Sequence, residues 1–219
     1  MTAIAHPETV PIPATSTPVV ALKRRTIDSV LIGAGAVVTV VMFVAGGLLM
    51  WGSNFAEDYV LDELSSQNIA FPPADALEAQ GRTDLVQYAG QTVDTGKEAE
   101  AYASFIAGHL EAVADGQTYA DLGDPERAAT AAVEDAKTSG APADQVAALE
   151  ADAATITGQR NTLFKGETLR GLLLSAFAWS TVGRIAGIAA WAAFAAGAAM
   201  LVLVVFGLRH HHKVVVDEK

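Results

Sequence analysis

One forty-residue run, Leu169 to Leu208, restricts what this chain can fold into more than any other stretch. It reads LRGLLLSAFAWSTVGRIAGIAAWAAFAAGAAMLVLVVFGL, and after Arg170 its only charge is Arg184. The 24 residues from Ile185 to Leu208 carry no charge. As a helix rising about 1.5 Å per residue they are long enough to cross a hydrocarbon core of about 30 Å. The whole run as one helix would measure about 60 Å, so part of it must stand outside lipid. The expected arrangement is a juxtamembrane helix over 169–184, a surface crossing at Arg184 and a transmembrane helix over 185–208.

A second apolar run occupies 27–51 and follows Lys23-Arg24-Arg25. Its length exceeds the roughly 7–15 residues of a signal-peptide core, and no A-x-A cleavage pattern follows, so it reads as a retained span. Ahead of it, residues 1–26 hold Pro7, Pro11, Pro13 and Pro18 without apolar periodicity, the composition of a disordered tail. Lysine and arginine fix the expected orientation. They lie before the first span and, as Arg209 and Lys213, after the last, whereas Glu57, Asp58, Asp62 and Glu63 follow the first span. The positive-inside rule then puts both tails, 1–26 and 209–219, in the cytoplasm and residues 52–168 outside. Trp51 falls where an outer aromatic anchor belongs.

Charge is unevenly distributed. Between Gly52 and Arg170 there are 21 acidic and 7 basic residues, a net −14 against −11 for the whole chain. Phosphate backbones would be repelled by such a surface, which argues against nucleic acid as a partner. The chain has no cysteine, so disulfides and thiolate metal sites are excluded.

Helical periodicity dominates the region between the spans. The pattern Phe55, Tyr59, Leu61, Leu64 carries the first span outward until Phe71-Pro72-Pro73 stops it. Short helices are expected over Asp75–Gln80 and Asp84–Gln91, and a longer one over Lys97–Ala114, with Tyr102, Phe105, Ile106, His109, Leu110 and Val113 on its apolar face. Asp124-Pro125-Glu126 has the form of a helix start, with Asp124 as N-cap. That helix should end before Gly140, and Pro142 begins another whose seam is Val146, Leu149, Ala153, Ile156 and Leu163. Two helices about a Gly-Ala-Pro turn make an antiparallel hairpin. No stretch alternates as a strand does. The expected fold is all-α: two transmembrane helices, extended outward, carrying an external helical bundle.

The segments Thr162-Leu163-Phe164-Lys165-Gly166-Glu167-Thr168-Leu169-Arg170-Gly171-Leu172-Leu173-Leu174, Ala99-Glu100-Ala101-Tyr102-Ala103-Ser104-Phe105-Ile106-Ala107-Gly108-His109-Leu110 and Gly116-Gln117-Thr118-Tyr119 resemble a family of uncharacterised two-span membrane proteins of actinobacteria. The resemblance runs from about Lys23 to about Arg209 and implies topology rather than an activity. Members sometimes carry the label of an aromatic ring-opening dioxygenase. A non-haem iron site needs two histidines and a carboxylate on open coordination positions. Between the spans there is one histidine, His109; His6 lies in the first tail and His210, His211 and His212 lie beyond the last span. The residues do not support that label.

No catalytic constellation, cofactor motif or metal site is expected. His109, on an apolar helix face, reads as a half-buried hydrogen-bonding residue or a pH-responsive contact. The acidic groups Glu57, Asp58, Asp62, Glu63 and Asp121, Asp124, Glu126 lack the spacing of a calcium loop and read as solvated faces. Arg184 is expected at the outer interface, reaching lipid phosphate or pairing with Glu57 or Asp58. Gly183 and Gly187 form a G-x-x-x-G, and Ala186, Ala190, Ala193 and Gly197 line a small-residue face suited to close helix packing, within the chain or against another subunit. The functional expectation is a non-catalytic scaffold, accessory subunit or assembly factor in contact with lipid, and with copies of itself or other membrane subunits. A homo-oligomeric pore and an envelope sensor of pH or divalent cations are the competing readings.

Overall fold

A computed structural model describes residues 24–217, with side-chain surroundings for 26–212. The proline-rich stretch before Arg24, with His6, and the last two residues lie outside the described residues. The described chain is all-helical and forms no strand. Its elements are α1 (Arg24–Ser65), α2 (Ala74–Ala79), a 3-10 helix (Thr83–Tyr88), α3 (Gly96–Val113), α4 (Gly123–Thr138) and α5 (Ala143–Asp217).

Two helices are long and apolar enough to cross a membrane, within Thr26–Ser65 and Ala143–His212. In each, only 17% of the most apolar window is buried by protein, the opposite of a soluble core helix. Val37, Val44, Leu48, Ile188, Trp191 and Leu203 are all more than half exposed. Such a surface is compatible with the apolar surroundings of a membrane.

Contacts divide the chain into two compact units, Met42–Ala195 and the two segments that end at Val41 and begin at Ala196. In the second unit the helices meet at glycine: a Cβ at Gly35 would stand 2.9 Å from Val204 Cγ2, and one at Gly207 3.0 Å from Ile32 Cγ1. In the first unit the same close approach recurs, and on it a polar lobe is built. Val60 and Leu64 of α1 and Leu173 of α5 enter one core with Phe71, Leu77, Leu85, Val93, Ala99 and Ala103. The lobe therefore uses its two long helices as its floor.

Local chemistry explains the breaks. α1 ends at Ser65 in a turn through Asn68, which has φ +51°, well before Pro72 and Pro73, and two extended stretches then pair briefly: Phe71 N donates to Gln91 O at 2.9 Å and Val93 N to Ile69 O at 2.8 Å. A capping box starts α3, in which Thr95 Oγ1 accepts from Glu98 N and Glu98 Oε2 accepts from Thr95 N at 2.9 Å. Gly140, at φ +70°, ends α4 in a six-to-one turn, with Ala141 N donating to Ala136 O. The following hairpin is antiparallel. Lys137 pairs with Glu150 near the turn and Glu126 with Arg160 far from it, so contacts climb one helix as they descend the other.

Three expectations need correction. The segment expected as a helix over Asp84–Gln91 is a tighter 3-10 turn ending at Tyr88. Asp124 does not cap α4: the helix begins at Gly123 behind Leu122, because Thr118 and Asp121 have already capped the preceding turn with reciprocal hydrogen bonds. Finally, α1 begins at Arg24, so 24–26 belong to a helix and not to the tail.

Candidate functional site

Two ion pairs tie α4 to α5 in the lobe, Lys137–Glu150 and Arg160–Glu126. Arg160 on α5 is the most connected: Nη1 donates to Glu126 Oε2 at 2.5 Å, Nε donates to Tyr119 O at 3.3 Å, and its guanidinium carbon stands 4.1 Å from the Tyr119 ring centroid. The Thr157 hydroxyl, and then Arg160, hold the Glu126 carboxyl below its usual range. Arg82 plays a matching part at the 3-10 turn. It donates to both oxygens of Asp84, at 3.0 and 2.9 Å, and through Nη1 to Ser104 O of α3 at 2.7 Å. The Asp84 carboxyl is lowered in consequence.

The acidic residues singled out in the sequence do not converge on a common centre. Asp121 accepts from Thr118 N and Oγ1, Asp124 pairs with Arg127, and Glu126 with Arg160. Glu57, Asp58, Asp62 and Glu63 are exposed along α1. Among the described residues no three histidine or carboxylate groups are gathered as a metal would require.

His109 is exposed rather than half-buried, because the buried stripe of α3 runs through Ala99, Ala103 and Leu110 and leaves residue 109 at its margin. It shares a hollow of about 280 Å³ with Gln80, Arg82, Phe105, Gly108 and Ala112. Arg184 is exposed and, among the described residues, makes no ion pair. Trp51 is 68% exposed and begins an aromatic rail on α1, its ring centroid 5.8 Å from Phe55, which lies 6.3 Å from Tyr59.

Gly183 and Gly187 of α5 face α1 within the unit Met42–Ala195. A Cβ at Gly183 would lie 2.9 Å from Ala56 Cβ and 3.3 Å from Ser53 O; one at Gly187 would lie 2.8 Å from Ser53 Oγ. Ala190 and Gly197 are buried, while Ala186 and Ala193 are half-buried.

Sequence reasoning missed a groove of about 260 Å³ between α1 and α5. Val60, Leu64 and Leu173 form its buried floor, Tyr59, Leu169, Leu172 and Trp179 its walls, and Glu63, Gln67 and Ser175 its polar mouth. The only sequence signal for it is that apolar residues on α5 continue for four turns before Arg184, which would have had to be matched with Tyr59 and Glu63 more than a hundred positions away. No family model, curated protein or solved structure matches the chain.

Proposed function

We propose that this chain is a non-catalytic integral membrane scaffold, an accessory subunit or assembly factor that presents its acidic helical lobe to a partner protein. One observation carries the reading: Val60, Leu64 and Leu173, which sit in the lobe's core, belong to the same two uninterrupted helices that carry the apolar runs. A lobe whose core includes residues of these helices supports the reading of a docking platform. The lysines and arginines at Lys23, Arg24, Arg25, Arg209 and Lys213 support cytoplasmic termini and an external lobe. The small-residue face of α5 supports packing inside the membrane, and the resemblance to two-span actinobacterial membrane proteins agrees with this topology.

Native mass measurement of the endogenous protein, extracted in mild detergent with its lipids, tests the reading. Co-migration with other subunits is the expected result. Species at whole multiples of 22.7 kDa alone would replace the scaffold with a self-assembling pore or transport component.

A further inference from the structure

We infer that the groove between α1 and α5 receives an apolar segment of a partner protein flanked by lysine or arginine. The inference rests on the scaffold reading and names the place and chemistry of its contact.

Position comes first. Trp179 precedes Arg184 by five residues and Leu169 by fifteen on the continuous α5. At about 1.5 Å per residue the groove therefore lies some 8–22 Å along the helix from Arg184, on the lobe side. The uncharged run that suffices to cross lipid lies on the other side of Arg184. Yet the groove walls are as bare as a lipid-facing surface: Leu172 is 65%, Trp179 50% and Tyr59 47% exposed. Apolar surface of this kind outside the bilayer marks a protein contact.

Size restricts what can enter. A volume of about 260 Å³ holds a few side chains but not a helix about 10 Å across. The partner segment must lie across the groove and insert its apolar anchors, the arrangement in which a small number of side chains carries most of the binding energy.

Charge selects the occupant. Glu63 stands in the mouth; Glu57, Asp58 and Asp62 precede it on the same helix without lining the groove, and all four are exposed and outside the ion pairs of the described residues. On the opposite wall the charge of Arg170 is taken up by Glu167 at 2.8 Å. Glu63 is the only charged residue that lines the groove, and it gives the mouth a negative charge. It favours a segment with basic residues beside its anchors and disfavours both a lipid phosphate and a second acidic lobe.

The test places the photoreactive amino acid benzoylphenylalanine at Leu172, and at Leu201 as a lipid-facing control, in the full chain in its native membrane. After irradiation, adducts are mapped by peptide mass. The expected result is a Leu172 adduct to another protein, at an apolar segment with lysine or arginine within a few residues. Its yield should fall at least five-fold when Glu57, Asp58, Asp62 and Glu63 are changed together to lysine. A melting curve of that variant checks that the lobe remains folded, and Glu63→Lys alone should lower the yield in the same direction. An adduct at twice 22.7 kDa, an adduct to lipid only, no adduct, a partner segment without basic residues, or a yield indifferent to charge reversal would each overturn the inference. If native mass measurement finds other subunits while Leu172 gives no adduct, the groove falls and the scaffold stands. If it finds only multiples of the chain itself, the scaffold falls as well.

Discussion

Arg160 and Glu126 lock the α4–α5 hairpin from its far end: the guanidinium Nη1 meets Oε2 at 2.5 Å while the same guanidinium lies over the Tyr119 ring at 4.1 Å. One side chain of α5 thus holds both the preceding helix, α4, and the loop that leads into it. Arg160→Met keeps the aliphatic bulk and removes both charged contacts. It should lower the thermal midpoint of the lobe by roughly 2–4 °C, read by circular dichroism in detergent. An unchanged midpoint would show that the hairpin is held by its apolar seam alone.

Acidification should loosen the same region. The carboxyls of Asp84, Glu98, Asp121 and Glu126 are all held below their usual range. For Asp84 the leading cause is the Arg82 guanidinium, for Asp121 the Thr118 amide and for Glu126 the Thr157 hydroxyl. In Glu98 partial burial pushes the other way but is outweighed by the amides of Asp94 and Thr95 and the Thr95 hydroxyl. A carboxyl depressed in the fold adds stability above its unfolded pKa and loses it as pH falls through the folded value. Asp94, raised by its neighbour Glu98, runs against the trend. Four depressed groups against one raised give a midpoint level from pH 7 to about 5 that falls below about pH 4, where free Asp and Glu protonate. Melting curves across that range decide it; a midpoint that rises at low pH contradicts the assignment.

Removal of the α3 cap has a definite cost. Thr95→Ala abolishes one half of a reciprocal capping box and should destabilise the lobe by about 1 kcal/mol, while Thr95→Ser should restore most of it. Denaturant titration of both variants separates the lost hydroxyl from the lost methyl.

Glycines on α5 and at the start of α3 should respond to substitution according to what faces them. A Cβ at Gly96 would stand 2.3 Å from Ser180 Cβ and 3.2 Å from the Phe177 Cα, so Gly96→Ala forces backbone apart and should cost about 1–3 kcal/mol. Gly183→Ala meets Ala56 Cβ and the Ser53 carbonyl and should also destabilise. Gly171 faces nothing within 4 Å, and Gly171→Ala should stabilise by up to about 1 kcal/mol through helix propensity. Thermal midpoints of the three single variants give the ranking directly.

The proposed topology can be read by labelling, because the chain contains no cysteine of its own. In intact cells, Ser66→Cys and Ala141→Cys should react with a membrane-impermeant maleimide, and Lys219→Cys only after permeabilisation. The reverse pattern would invert the orientation derived from Lys23, Arg24, Arg25 and Arg209.

Periodicity made the helices legible, and glycine obscured how they join. The two apolar runs, α3 and the Gly140 turn are local patterns, and each was readable from its own residues. Gly158, Gly166, Gly171, Gly183 and Gly187 look like interruptions of α5, yet the helix passes through them all. At three of them the missing Cβ is where a neighbour sits: Leu110 against Gly166, Ala56 against Gly183 and Ser53 against Gly187. That reason lies in distant segments and leaves no local trace. His109 failed for a similar cause, since helical spacing gives the apolar arc but not which edge of the arc a neighbouring helix covers. The groove was hidden because its walls come from segments a hundred or more residues apart, 59–69 and 169–179.

An unbroken α5 also makes residue number a physical quantity. Each residue inserted into a continuous helix turns everything after it by about 100°, so one added residue would swing Gly183, Gly187 and Ala190 off the face they share, whereas seven would return them to within about 20°. Length along Ala143–Asp217 is therefore phased, whereas the short connections before it, at 66–73, 80–82, 89–95, 114–122 and 139–142, can grow or shrink by single residues.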